Sequence, residues 1–263
     1  MKLTSTLTTL VLAACAILAF PAAKASAPAD STGCGTRFVD TRRPTKMVEL
    51  GLHIGEGAAS MVQNYGTAVP HVGDFTLTPG SLTQFGASAV IPVRNFFAIG
   101  TGLNFNINNY YYSMTILHPG AGTLNTLYTR NRFYNFDVPL FLAFRFNLGT
   151  HVRWDNELGA YLSFGCGGHS HTRAYTSSTN DLGQSQVAET NYRVKYYNPD
   201  QALINGVTSV DWGLHLGTGI LVNGHVSVKC VMHAGARDLA KNYGVLNVQN
   251  HTLNVVFSAG YVF

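Results

Sequence analysis

The dominant feature of the chain is strict alternation of apolar and small or polar residues. Phe97, Ile99, Thr101, Leu103, Phe105 and Ile107 are interleaved with Ala98, Gly100, Gly102, Asn104, Asn106 and Asn108. Such a period-two run is a strand, and a strand of about 9–11 residues suffices to cross a bilayer. The alternation recurs over 48–55, 84–91, 136–146, 157–164, 210–220, 226–233 and 252–263, which makes eight predicted strands. One face of each is bulky and apolar. The other is mostly Gly, Asn and Ser with isolated charges, a poor exterior for a water-soluble barrel. It suits the cramped interior of a small barrel, with the bulky face turned to lipid.

The spacing between strands alternates as well. Long connections at about 56–80, 112–132, 167–206 and 236–249 take turns with short ones around Pro92-Val93-Arg94-Asn95, Asn147-Leu148-Gly149-Thr150 and Val222-Asn223-Gly224. Transmembrane barrels have short periplasmic turns and longer external loops. The expected architecture is therefore all-β: a closed eight-stranded antiparallel transmembrane β-barrel over 47–263, with long external loops, short periplasmic turns and both termini in the periplasm. Closure also removes the exposed edges that lipid does not tolerate.

Composition narrows the class. Only 11% of the 263 residues are charged, while 46% are hydrophobic, with 13 Tyr and 15 Phe. Disorder requires the opposite balance. Helical membrane spans require apolar runs of about 20 residues, and the longest run here covers 10–20. The formal net charge of +4 is small and scattered, so nucleic acid is not an expected partner.

The run at 10–20 follows Lys2 and precedes Ala23-Lys24-Ala25, which together read as a secretory signal peptide over 1–25, cut after Ala25. The alternative is a lipoprotein signal, with Leu12-Ala13-Ala14-Cys15 as lipobox and Cys15 lipidated. Both send the protein out of the cytoplasm. Residues 26–46 read as a polar periplasmic tail. The mature chain keeps Cys34, Cys166 and Cys230, an odd number without a disulfide framework or a Cys-x-x-Cys pair. Aromatic residues gather at predicted strand ends. Phe97, Phe146, Trp154, Tyr261 and Phe263 are expected at the periplasmic interface. Tyr110, Tyr111, Tyr112, Phe133, Tyr134 and Trp212 are expected at the external one.

The last strand, ending Phe257-Ser258-Ala259-Gly260-Tyr261-Val262-Phe263, resembles the assembly signal of bacterial outer-membrane barrels, carried by Tyr261 and Phe263. Three further stretches make the mature chain similar to the PorT-like outer-membrane β-barrel family of Bacteroidota. They are Asn135-Phe136-Asp137-Val138-Pro139-Leu140-Phe141-Leu142, Asp211-Trp212-Gly213-Leu214-His215-Leu216-Gly217-Thr218-Gly219, and Gly235-Ala236-Arg237-Asp238-Leu239. The resemblance implies an outer-membrane location and no catalytic residues. Some relatives support protein export, which makes an envelope complex an expected partner, beside outer-membrane lipid and the barrel-assembly machinery.

The inward face is expected to hold Glu49, His53, Asp137, Arg145, Glu157, Asp211, His215, Lys229 and His233. Buried charges must be paired, so these should form an internal polar network. A narrow gated pore or an outer-membrane enzyme acting on lipid is the alternative, but no compact Ser–His–acid spacing lies on one strip. His169 and His171 would share a side of an extended segment, yet two ligands do not make a metal site. No cofactor or metal is expected. The function so indicated is non-enzymatic: structural, adhesive, or accessory to an envelope complex.

Lys229 tests the register. Asn223-Gly224 defaults to a two-residue hairpin loop. That would pair Thr218 with Lys229 and turn the lysine into lipid, which costs about 2–4 kcal/mol at mid-depth. A three-residue loop, Val222-Asn223-Gly224, pairs Gly217 with Lys229 and returns the lysine to the lumen. The expected turn is type I followed by Gly224 in the left-handed region.

Overall fold

A computed structural model describes residues 37–64, 72–118, 123–179, 185–197, 206–241 and 249–263. The expected signal segment, Cys15, Cys34 and the first part of the expected polar tail lie outside the described residues. Eight strands form the wall: β1 (Glu49–Asn64), β2 (Val72–Arg94), β3 (Phe97–His118), β4 (Thr123–Asn147), β5 (Val152–Thr179), β8 (Val210–Val222), β9 (Val226–Gly235) and β11 (Gln249–Val262). Each pairs antiparallel with the next, and β11 returns to β1 over the stretch from Gly51↔Val262 to Asn64↔Gln249, closing the ring. Three short strands lie outside it: β6 (Ser185–Lys195) on the far edge of β5, and β7 (Gly206–Val207) paired with β10 (Ala240–Lys241).

All eight alternating runs fall on these strands, with Val48 and Phe263 one residue outside β1 and β11, and their bulky sets face outward. Leu103 is 54% exposed and Leu140 63%, although both stand well inside their strands. Pairing explains why the chain accepts this arrangement. A closed ladder satisfies most wall N–H and C=O groups within the sheet, so apolar side chains rather than backbone groups meet the hydrocarbon.

The long connections are not loops for most of their length. β2, β3, β4 and β5 run 22 to 28 residues, about twice β8, β9 and β11. Their outer halves remain paired, from Val72↔Ile116 through His118↔Thr123 and Thr123↔Ser178 to Thr179↔Ser185. The result is a sheet of β2–β6 standing beyond one side of the barrel. These stretches carry Thr, Asn and Tyr with little strong alternation, so period-two hydrophobicity does not reveal them.

A bulge lies at the junction of barrel and sheet. Tyr134 pairs with Gly167 but Asn135 pairs with Gly165, which leaves Cys166 extra on β5. An inserted residue exchanges the faces of the strand beyond it. Below it the even positions Leu158, Leu162 and Phe164 face out; above it His169, His171 and Arg173 do. Cys166 and Cys230 are free thiols.

The β8–β9 connection has three residues, as the charge argument requires, but one position later than expected. Val222 pairs with Val226, and Asn223, Gly224 and His225 form the turn. The His225 amide donates to the Val222 carbonyl at 3.1 Å, and both Asn223 (φ 52°) and Gly224 (φ 75°) are left-handed. This is the mirror-image turn that Asn-Gly favours, with His225 as the added residue, rather than a type I turn. Lys229 consequently faces Gly219 instead of Gly217, and it points into the lumen.

Candidate functional site

All nine predicted inward residues line the lumen, and the structure links most of them in layers. At the periplasmic end, Glu49 receives two guanidinium groups. Arg145 donates to its two oxygens at 3.1 and 2.9 Å, and Arg153 does so at 3.2 and 3.0 Å. Arg153 also donates to Asp155 at 2.8 and 3.0 Å. Two cations and two anions thus neutralise one another in forked pairs. Arg153 and Asp155 escaped the sequence reading, which started the fifth strand at 157. Carrying the inward parity of Glu157 back by two and four positions would have found them.

The middle layer centres on Glu157. Lys229 donates to it at 2.5 Å, and His215 Nε2 lies 3.3 Å from its other oxygen. His215 Nδ1 meets His233 Nε2 at 2.8 Å, and His233 Nδ1 lies 3.3 Å from Asp137. Glu157, His215, His233 and Asp137 therefore form one polar chain across the barrel. Its rings are held flat by neighbours, His215 on Phe141 and His233 on Tyr161, with centroids 5.1 and 4.4 Å apart.

Above this layer Asp137, 1% exposed, accepts from Asn106 at 2.6 Å and from Asn135. Asn108 donates to Asn135, and Gln84 to Asn106. Asp211 stands apart from the histidine chain and accepts from Tyr161 at 2.8 Å and Thr252 at 2.6 Å. His53 is also separate, 3.0 Å from Asn104. The small residues across from these groups give them room. A side chain at Gly217, for example, would meet Glu157 Oε2 at 2.9 Å.

The mouth is closed by apolar packing. Met61, Tyr110, Phe133, Tyr196, Val207 and Leu239 form one buried cluster, with Leu77, Tyr112 and Tyr197 against it. This corrects the expected external belt: Tyr110, Tyr112 and Phe133 turn inward, in phase with Asn108 and Asn135, while Tyr111, Tyr134 and Trp212 remain on the outer side. Tyr196 stacks on Phe133 at 4.4 Å, and its hydroxyl lies 3.0 Å from that of Tyr110. Burial away from water pushes the Tyr196 phenol above its ordinary range. Asp238, from the third family-like stretch, secures the rim by accepting the Ala240 and Asn250 amides at 3.0 and 2.9 Å.

On the periplasmic side the tail crosses the turns. Phe38 stacks on Phe146 at 5.1 Å, and Asp40 accepts from Arg42 and Asn95. The Arg42 guanidinium and amide hold the Asp40 carboxyl well below the usual carboxylate range. Voids along the lumen that described residues line measure about 50 Å³ beside His53 and Glu157 and about 20 Å³ near Arg153 and near Asp211. These are spaces for one to a few waters. No group of three or more metal-ligating side chains occurs among the described residues. His169 and His171 point the same way, outward and exposed.

Similarity to known proteins follows the geometry. Among solved structures, the attachment invasion locus protein Ail of Yersinia pestis is 13% identical, covering 83% of this chain and 100% of its own, with a TM-score of 0.35. Outer membrane protein OprG of Pseudomonas aeruginosa is 12% identical over 86% of this chain and 99% of its own, TM-score 0.41. Neisserial surface protein A is 12% identical over 81% and 97%, TM-score 0.31. No curated protein matches the chain. The family described as outer membrane protein beta-barrel domain matches residues 38–233, about three quarters of the sequence. With a closed ring of eight antiparallel strands and an apolar exterior, the chain belongs to that outer-membrane β-barrel family and resides in the outer membrane.

Proposed function

We propose that this barrel is a non-catalytic scaffold that anchors an external sheet in the outer membrane, in an adhesive role or as an accessory of an envelope complex. The observation that carries the reading is the contrast between its two ends. The lumen is filled by mutually paired side chains and the mouth by an aromatic cluster, while β2–β6 continue far beyond the barrel. A filled lumen disfavours solute passage. Titratable groups engaged with one another disfavour a reaction centre, which needs a nucleophile or base free to meet substrate. The three PorT-like stretches favour membership of that narrower group, with an accessory role in export as one form of the function.

Two experiments test it. Purified barrel in planar bilayers should give no stepwise conductance, and steady openings would favour a pore. Cells carrying a variant shortened between residues 175 and 190 should keep heat-modifiable barrel but lose the surface or complex interactions of the wild type. Full retention of those interactions would remove the sheet from the function. Release of fatty acid or sugar from outer-membrane lipid by the purified protein would favour the enzyme.

A further inference from the structure

The sheet beyond the barrel separates its charges completely between faces. Cross-strand partners share a face, so the register defines rows. Arg132 lies beside His169 and Lys195; Arg130 beside His171 and Arg193; Tyr128 beside Arg173 and Asn191. All seven of the basic and histidine side chains in these rows are exposed. The opposite face of the same strands carries Thr129, Asn131, Ser170, Thr172, Tyr192 and Val194 and no charged residue between 123–133, 168–178 and 186–194. Within β4–β6 the one carboxylate on the basic face among the described residues is Glu189, a row beyond Arg173, where it accepts from Asn191, and by register Asp74 of β2 belongs to that same row.

Like charges side by side on a sheet destabilise it. Here strands about 4.8 Å apart place Arg130 and Arg193 about 10 Å from each other with a histidine between them. No ion pair compensates these five cations among the described residues. Arg130 and Arg132 instead lie over the rings of Tyr111 and Tyr134, at 5.6 and 5.8 Å. The cluster is thus built for an anion supplied from outside.

Its height says which. The outward residues of β4 run from Phe144 through Leu142, Leu140, Val138 and Phe136 to Tyr134. With a rise of about 3.4 Å per residue and a tilt of about 40°, these ten steps climb about 26 Å, the height of the apolar band of a membrane barrel. By the same rise Arg132 stands about 5 Å and Arg130 about 10 Å above the edge of the band, at headgroup level. The basic rows continue the lipid-facing stripe without a break. Directly beneath them Phe105 stacks on Tyr134, and Phe136 packs on Phe105.

We propose that Arg130, Arg132, Arg173, Arg193 and Lys195 form a binding site for phosphate-bearing lipid headgroups of the outer leaflet, the acyl chains lying along the aromatic stripe below. Arginines suit this chemistry because the planar guanidinium grips phosphate oxygens in pairs. The site fixes the base of the sheet to the membrane surface, and it is independent of what the tip of the sheet engages.

The test uses full-length folded protein in non-ionic maltoside micelles, titrated at low salt with diphosphoryl lipid A and with the same lipid after removal of its phosphates. Binding is read by microscale thermophoresis. The phosphorylated lipid should bind at least tenfold more tightly than the dephosphorylated one, and 0.5 M salt should reduce that difference. R130Q/R132Q/R173Q/R193Q/K195Q, checked for folding by heat modifiability, should lose at least tenfold in affinity for the phosphorylated lipid. R130K/R132K should lose less. Should the fivefold variant not fold, R173Q/R193Q should still lose threefold or more. Equal affinity for both lipids, or unchanged affinity in the neutralised variants, overturns the proposal. Equally tight binding of inorganic phosphate would show a free-anion site and overturn the assignment to lipid.

Discussion

Glu157→Gln is the most informative single change in the lumen. Among the described residues Glu157 is the only carboxylate in ion-pair contact with Lys229, at 2.5 Å, and its side chain is 5% exposed. The substitution keeps volume and hydrogen-bonding capacity but leaves the lysine without its counter-charge. Breaking a buried pair from one side costs about 3–5 kcal/mol. Lys229 retains 23% of its side-chain exposure, so water relieves part of this, and we expect about 3 kcal/mol. Lys229→Met should cost about 2 kcal/mol, because His215 still faces the carboxylate. Removing both charges abolishes the mismatch, so E157Q/K229M should cost about 1 kcal/mol, well under the sum of the single changes. Reversible urea unfolding in phospholipid vesicles, followed by the fluorescence of Trp154 and Trp212, provides the free energies. A double variant that loses the full sum would show that the two groups act independently and would refute the argument.

Deleting Phe263 should lower the heat-modifiable fraction in cell envelopes several-fold, yet change the unfolding free energy of already folded protein by no more than about 2 kcal/mol. The residue is 59% exposed, and its backbone contacts run to Lys46 and Leu50 at the rim. Equal losses in both measurements would remove the assembly-signal argument. Gly224→Val, at φ 75° in open space, should destabilise by about 1–2 kcal/mol through backbone strain alone, and Gly149→Val by much less; equal unfolding curves would contradict the turn. Tyr196→Ala removes a ring stacked between the mouth and β6. It should speed amide exchange in β6 and at 206–207 while the wall strands keep their protection; a uniform increase would show that the cluster supports the whole barrel.

The legible part of this fold is the part that lipid constrains. Leu50, Leu140 and Phe257 had to be apolar and their neighbours could not be, so alternation declared strand and face at once. The lumen was legible for the same reason, because a charge at Arg145 or Lys229 in mid-strand has one side open to it. Above the membrane that constraint ends. At Tyr110 the interior changes from polar to aromatic, so an aromatic residue no longer signals an interface. Thr129, Thr172 and Tyr192 pair as readily as Leu142 and Leu158, but nothing in their hydrophobicity says so.

The bulge at Cys166 marks this limit most clearly. Read with the parity of Leu162 and Phe164, the exposed positions of β5 would continue through Ser170 and Thr172, and the histidines and Arg173 would be buried. One extra residue opposite Tyr134 and Asn135 reverses the strand. Gly168, at φ 150°, lies so close to Phe133 that a Cβ there would meet its backbone at 2.6 Å. Gly168, at positive φ against the backbone of β4, accommodates the reversal, and the charge segregation of the sheet depends on it. A substitution that removed the bulge would therefore do more than shift a register. It would carry His169, His171 and Arg173 from the basic face to the neutral one and leave Arg130 and Arg132 facing serine and glycine. The barrel below would keep its own pairing, since Leu162↔Trp212 and Leu158↔Leu216 lie on the other side of the junction. The stability of the wall and the chemistry of the external face are thus separable at a single residue.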